Sequence, residues 1–295
     1  MDALKQLADT LRSQLPAPGF IEFPETGLML GRADAPTAPQ PCVYGPSIVV
    51  VAQGDKRAHM GGGTIDYGEK DYLVCTLTLP IESEILTASP ERPFLVLVLP
   101  VDVAVVSTLL VEMGDMPIDG DAEVARAALQ TCAPCDGLLV ALHRLLVAVA
   151  DPLDRRVLAP QLVREVSYLV LRGPQGALLR DYALRDSSAH RIAGVVRFLS
   201  ERYCEPMTIE AITRHAGMSA SALHHHFKAA TTQSPLQFVK RLRLHRARSL
   251  LVTGTSAGDA AYEVGYSSPS QFSREFRRLF GVTPSSLRGV HEMAL

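Results

Sequence analysis

The spacing of apolar residues changes character twice along this chain. From residue 22 to about residue 103, short β-like runs stand at 47–52, 56–60, 71–79, 84–87 and 94–99. Turn formers divide them, among them Gln53-Gly54-Asp55 and Gly61-Gly62-Gly63. Several short strands at this spacing predict a β-sandwich or small barrel. Beyond Gly120 the period lengthens, and helices are predicted over 122–131, 138–150 and 158–171. In the second, Leu138, Leu142, Leu145, Leu146 and Val149 fall on one face, which either the barrel or a second copy of the chain must cover. Gly173-Pro174-Gln175-Gly176 closes the last of these helices, and a domain boundary is expected between it and Ser187-Ser188.

From Ala189 onward the pattern is helical throughout. Ile192, Val195, Val196 and Leu199 form an apolar stripe on the first helix. Thr208 caps a second, with Ile209, Ile212 and Ala216 on its buried side, and Gly217-Met218-Ser219 is a tight turn into a third. Glycine permits a left-handed backbone there and serine satisfies free N–H groups, which together predict a helix-turn-helix over 208–230. The same device returns over 256–280, with Gly265-Tyr266-Ser267 at the turn. Leu223 and Phe272, Phe227 and Phe276, Pro235 and Pro284, and Phe238 and Leu287 each stand 49 positions apart, so the segment is an internal duplication. Between the copies, 234–253 predicts one helix about 30 Å long. A rod of that size could hold two helices in major-groove segments about 34 Å apart. The expected fold class is α+β: a β-sandwich or small barrel with a helical hairpin over 1–175, a linker at 176–188, and an all-α domain with two helix-turn-helix units over 189–295.

Composition sharpens this division. The 295 residues suffice for two cores, and 47% hydrophobic with 20% charged residues describes a folded chain. No apolar stretch has the length of a membrane span and no signal peptide is read, so a cytoplasmic location without membrane contact is expected. The net charge of −2 conceals an asymmetry: residues 1–186 hold 15 Lys and Arg against 24 Asp and Glu, and residues 187–295 hold 14 against 7. A basic module of this kind meets a polyanion, and double-stranded DNA is the partner expected. The apolar residues of each second helix fix its inward side. The opposite face presents Ser221, His224, His225 and Lys228 in the first unit, and Ser270, Ser273, Arg274 and Arg277 in the second. Arg274 suits a bidentate contact to guanine, whereas Lys228 and Arg277 suit phosphate. The run from Lys240 to Arg248 has no acidic i,i+4 partner within it, so phosphate attraction is expected there too, with Arg243 among the contacts.

Other candidate chemistry is sparse. Five scattered cysteines do not make a disulfide framework, and Cys132-Ala-Pro-Cys135 lacks the second pair a structural zinc needs. Cys132 and Cys135 are either ordinary thiols at a helix junction or a redox or electrophile sensor. His224, His225 and His226 diverge by about 100° per residue on a helix and cannot share one ion. The barrel region has a single histidine, His59, so no metal, cofactor or catalysis is expected. Alternation puts Tyr72, Val74, Thr76 and Thr78 on one side of a strand, where with Tyr44 and Tyr67 they line an effector pocket or fill a core.

The stretch from Gly265 to Gly281, GYSSPSQFSREFRRLFG, followed by Thr283-Pro284, resembles the AraC/XylS family. The first unit departs from that pattern, with Ser221-Ala222-Leu223-His224-His225-His226 replacing the commoner aromatic- and arginine-bearing version. Gln53-Gly54-x-Lys56-Arg57, Asp71-Tyr72-Leu73-Val74 and Ala88-Ser89-Pro90-Glu91-Arg92-Pro93 look like the cupin-like effector domain of one AraC subgroup. The resemblance implies a sequence-specific transcription regulator with a small-molecule effector in the barrel, and a homodimer through the helices between Ala122 and Leu171 is expected. RNA polymerase would be a further partner if the protein activates.

Overall fold

The computed structural model describes residues 3–60, 63–69, 71–114, 129–184 and 187–287. The N-terminal part contains α1 (Ala3–Gln14), β1 (Gly19–Phe23), β2 (Leu28–Ala33), β3 (Gln40–Tyr44), β4 (Ser47–Gln53), β5 (Asp55–Met60), β6 (Gly63–Gly68), β7 (Tyr72–Cys75), β8 (Leu79–Thr87), β9 (Phe94–Pro100), α2 (Val103–Met113) and β10 (Leu129–Cys132). Helices α3 (Asp136–Ala150), α4 (Pro152–Val157), α5 (Ala159–Arg172) and α6 (Gly176–Ala183) follow. The strands form two antiparallel sheets, β1-β2-β9-β4-β7-β10 and β3-β8-β5-β6, which face each other.

The central strands of the first sheet, β4, β7 and β9, are covered on both sides. Val49, Val51, Leu73, Cys75, Phe94 and Val96 point toward the second sheet and share a core with its Ala58, Tyr67, Ile81 and Ile85. Ile48, Val50, Ala52, Tyr72, Val74, Leu95, Leu97 and Leu99 point the other way, into a core with α1, α3 and α5. A strand covered on both faces has no polar phase, which is why 47–52 and 94–99 read as unbroken apolar runs.

Three expectations are revised here. Helix α1, unforeseen in the pattern, buries Leu7 and Leu11, and Gln14 Nε2 donates to the Leu146 carbonyl at 2.7 Å. The helix expected over 122–131 falls largely outside the described residues. From Leu129 the chain is instead β10, because pairing with β7 supplies the backbone partners. The expected linker at 176–188 contains α6, whose Leu178 and Leu179 are buried in the core beneath the first sheet.

The C-terminal part is α7 (Ser188–Glu201), α8 (Ile209–Ala216), α9 (Ala220–Thr231), α10 (Pro235–Val252), α11 (Ala257–Glu263) and α12 (Pro269–Phe280), then a 3-10 turn at Pro284–Leu287. Helix α10 is unbroken over 18 residues, about 27 Å. Ser234 and Gln237 close a reciprocal capping box at its start. Among the described residues no helix is long and apolar enough to cross a membrane.

Candidate nucleic-acid interface

Both helix-turn-helix units are built from the same local devices. Thr208 and Ser256 cap α8 and α11, their hydroxyl oxygens accepting from Ala211 N and Asp259 N at 3.2 Å in each case. Ser219 and Ser268 cap α9 and α12 by accepting from Ala222 N at 3.2 Å and Gln271 N at 3.3 Å. These last two caps stand 49 positions apart, as do the left-handed C-caps Thr232 and Gly281. The turn glycines, Gly217 and Gly265, are only 48 apart, so the second turn is one residue longer.

Leu223 and Phe227 of α9 are fully buried, with the Phe227 ring edge-on to Phe238 at 5.5 Å. Phe272 and Phe276 of α12 are buried likewise, packed on each other at 5.4 Å, with Tyr266 edge-on to Phe272. The outward residues Ser221, His224, His225 and Lys228, and Ser270, Ser273, Arg274 and Arg277, are all exposed. The side chains of Lys228, Arg274 and Arg277 make no ion pair or hydrogen bond among the described residues, so their donors face solvent.

The acid on α12 is occupied differently. Glu275 accepts from Lys240 Nζ at 3.2 Å, Tyr266 OH at 2.9 Å and Gln271 Nε2 at 3.1 Å. Burial opposes ionisation there, but the donors of Gln271, Tyr266 and Lys240 prevail and hold the carboxyl below the usual carboxylate range. Its charge therefore ties α12 to α10 instead of repelling a polyanion.

The expectation for Arg243 is corrected by its surroundings. Its guanidinium donates to the carbonyls of Tyr203 at 2.6 Å, Glu205 at 2.8 Å and Gly265 at 3.1 Å, bracing the α7–α8 loop against the turn of the second unit. Phosphate attraction along α10 gives way for a similar reason. Lys240 pairs with Glu275, Arg241 is half-buried, with burial lowering its pKa against the attraction of Glu82 on β8, and Arg248 lies 5.2 Å over the Phe280 ring. Arg246 remains exposed. His245 is buried edge-on to Phe280 at 5.4 Å, with neither ring nitrogen hydrogen-bonded. Burial first, then Arg241 and Arg248, lower its pKa to about 3, so the ring is neutral. Its spacing of three from Leu242 was the signal that it faces inward.

The pocket expectation divides between two cores. Tyr44 and Tyr67 lie between the sheets with their hydroxyls hydrogen-bonded, but Tyr72 and Val74 project from the opposite face of the first sheet and cannot join them. The phase of the alternation was one residue out, and Leu73 and Cys75 are the inward pair. Thr76 is buried just beyond the end of β7. Cys132 and Cys135 sit at a strand–helix junction, not between helices. Burial pushes the half-buried Cys132 thiol up, away from thiolate reactivity, and Cys135 is exposed before α3. Lys56, visible in the sequence only as part of a family motif, has its side chain buried between the sheets.

A two-sheet domain followed by paired helix-turn-helix units on a common rod is the architecture of a DNA-binding transcription regulator. Two family profiles agree: "AraC-type transcriptional regulator N-terminus" matches residues 24–178, and "helix-turn-helix domain" matches residues 212–289. The chain belongs to the AraC family of transcriptional regulators. It is 31% identical over 179 residues to the HTH-type transcriptional regulator ExsA of Pseudomonas aeruginosa, covering 60% of this chain and 61% of ExsA. Against the HTH-type transcriptional activator RhaS of Escherichia coli it is 32% identical over 115 residues, covering 38% of this chain and 41% of RhaS. The match thus spans less than two thirds of the length of these relatives. ToxT of Vibrio cholerae superposes on 88% of this chain and 96% of its own, with a TM-score of 0.58 at 12% identity. A ToxT structure with bound unsaturated fatty acid gives 0.54 at 13% identity, over 88% of this chain and 94% of that one. At such identity the likeness is one of fold.

Proposed function

We propose that this chain is a sequence-specific activator of transcription that binds double-stranded DNA through α9 and α12 and is controlled by a small molecule held between its two sheets. The observation that carries it is the pair of exposed faces, Ser221, His224, His225 and Lys228 on one helix and Ser270, Ser273, Arg274 and Arg277 on the other, joined by the unbroken α10. Serine, histidine and Arg274 read base edges, and Lys228 and Arg277 meet phosphate. RhaS, named an activator, and ToxT, seen with a bound fatty acid, support activation and an effector. RNA polymerase is then a further partner. A homodimer is supported by the apolar side chains left exposed on α3, on α4 and at the turn into α5: Val140, Val147, Leu153, Val157 and Leu158.

Mobility shift of the full chain with pooled genomic fragments tests the DNA reading. A sequence-preferring complex is expected, weakening steeply as salt rises because phosphate contacts release counterions. Retardation of every fragment alike, or of none at low salt, would sink it.

A further inference from the structure

Lys56 occupies the second position of β5. Its strand neighbours Asp55 and Arg57 face outward, where Asp55 accepts from Thr87 Oγ1 at 2.7 Å and Arg57 pairs with Asp66 at 2.6 Å. His59 on the same side lies 3.0 Å from Glu84. Lys56 alternates with these and turns inward beside Ala58, only 7% exposed. Its Nζ stands 5.5 Å from the centre of the Tyr44 ring and 6.0 Å from that of Phe94. The Tyr44 and Tyr67 hydroxyls bond to each other nearby, and Cys42 Sγ lies 3.3 Å from Ser83 Oγ. Among the described residues no carboxylate pairs with this ammonium.

A lone cation enclosed by apolar walls is costly. It loses its proton, gathers π-faces, or takes up an anion. Burial draws the ammonium's pKa below the usual lysine value, outweighing the opposing attraction of Cys42. The acids on the strands beside it lie on the outer face: Asp55, Asp66 and Glu84 are paired as above, and Glu82 stands opposite His59. Among the described residues no acid is left to meet this charge, and an anion from outside the chain would supply it.

We propose that Lys56 anchors the carboxylate of a small organic monoanion between the two sheets, with the Tyr44 and Tyr67 hydroxyls donating to the same group. The wall around them, Phe94, Val51 and Ile85, takes an apolar body. One cation and two phenols match a single negative charge, whereas a dianionic phosphate would leave one charge buried and unpaired. The assignment deepens, and rests on, the reading of the two-sheet domain as an effector domain. It also connects to the DNA-binding half: Tyr44 belongs to β3, which with β8 packs against α10. An anion seated there adjusts the wall on which the connecting rod rests.

Calorimetric titration of the full chain with benzoate, hexanoate and octanoate, each beside its neutral amide, tests the proposal. At least one carboxylate should bind, its amide more weakly by about tenfold, the worth of one charge-assisted bond. Lys56→Met should abolish carboxylate binding and Lys56→Arg should retain it. Circular dichroism and an unchanged DNA mobility shift establish that both variants are folded. Equal binding of acid and amide, undiminished binding by Lys56→Met, or no binding of any of the three acids by a chain that still shifts DNA would each overturn the assignment and leave the DNA reading standing. A chain that binds the acid but shows no sequence preference on DNA would strike the DNA reading alone.

Discussion

The two helix-turn-helix units share a backbone plan and differ in what surrounds it. Their second helices begin at identical serine caps and end at left-handed residues the same distance on. Yet Leu223, Phe227 and Phe238 of the first unit belong to one buried cluster that continues into the space between the two sheets. Phe272, Phe276 and Leu287, their counterparts in the second, close a separate core with Leu244, Leu251 and Tyr266. The exposed chemistry diverges in parallel, with His224, His225 and Lys228 against Arg274 and Arg277. One duplicated motif has thus become a unit whose core is continuous with that of the two-sheet domain and a unit with a core of its own.

The largest effect that separates the two units is expected in their cores. Phe227→Ala and Phe276→Ala each empty a fully buried site and should cost about 3–5 kcal/mol. Hydrogen exchange should show Phe276→Ala loosening α11 and α12 alone, and Phe227→Ala also lowering protection in β3 and β8. Equal loss everywhere would erase the distinction. The turns come next. Gly217 has φ +60° and open space where a methyl group would stand, so alanine there meets only the left-handed penalty of about 1–2 kcal/mol. Gly265 has φ +85°, and a Cβ there would also collide with the Cys204 carbonyl, so Gly265→Ala should cost more than about 2 kcal/mol in urea unfolding. Similar midpoints for the two variants would refute this.

On DNA, Arg274→Ala should weaken a preferred site by about 1–3 kcal/mol and relax one base position, whereas His224→Ala should cost less than about 1 kcal/mol. A uniform loss over all sequences would make Arg274 a phosphate contact instead. Smallest near neutrality is the effect of His245, whose folded pKa of about 3 lies below the unfolded value near 6.5. The unfolded chain binds the proton more readily, so this contribution to stability is complete above about pH 6.5 and shrinks by about 1.4 kcal/mol per unit as pH falls toward 3. His245→Leu should flatten that acid limb; an unchanged limb would show that other groups govern it.

Legibility followed the kind of pattern involved. The helix faces were plain because Leu223, Phe227, Phe272 and Phe276 recur at helical spacing against polar neighbours, which leaves a single way to bury them. The phase of β7 was not, because Tyr72, Leu73, Val74 and Cys75 are apolar or weakly polar on both sides. Arg243 looked like a DNA contact because no acid lies near it in sequence, and its partners turned out to be backbone carbonyls 22 to 40 positions away.

What the linear order of residues determined by itself was the duplication, the caps, the unbroken rod and the side chains each second helix shows to solvent, since all depend on interactions within a few turns of backbone. Tertiary structure alone decided which side of a doubly covered sheet faces Lys56, which unit shares the effector domain's core, and which arginines are spent on the protein itself. Those outcomes depend on contacts between residues tens of positions apart, and local hydrophobic period carries no information about them.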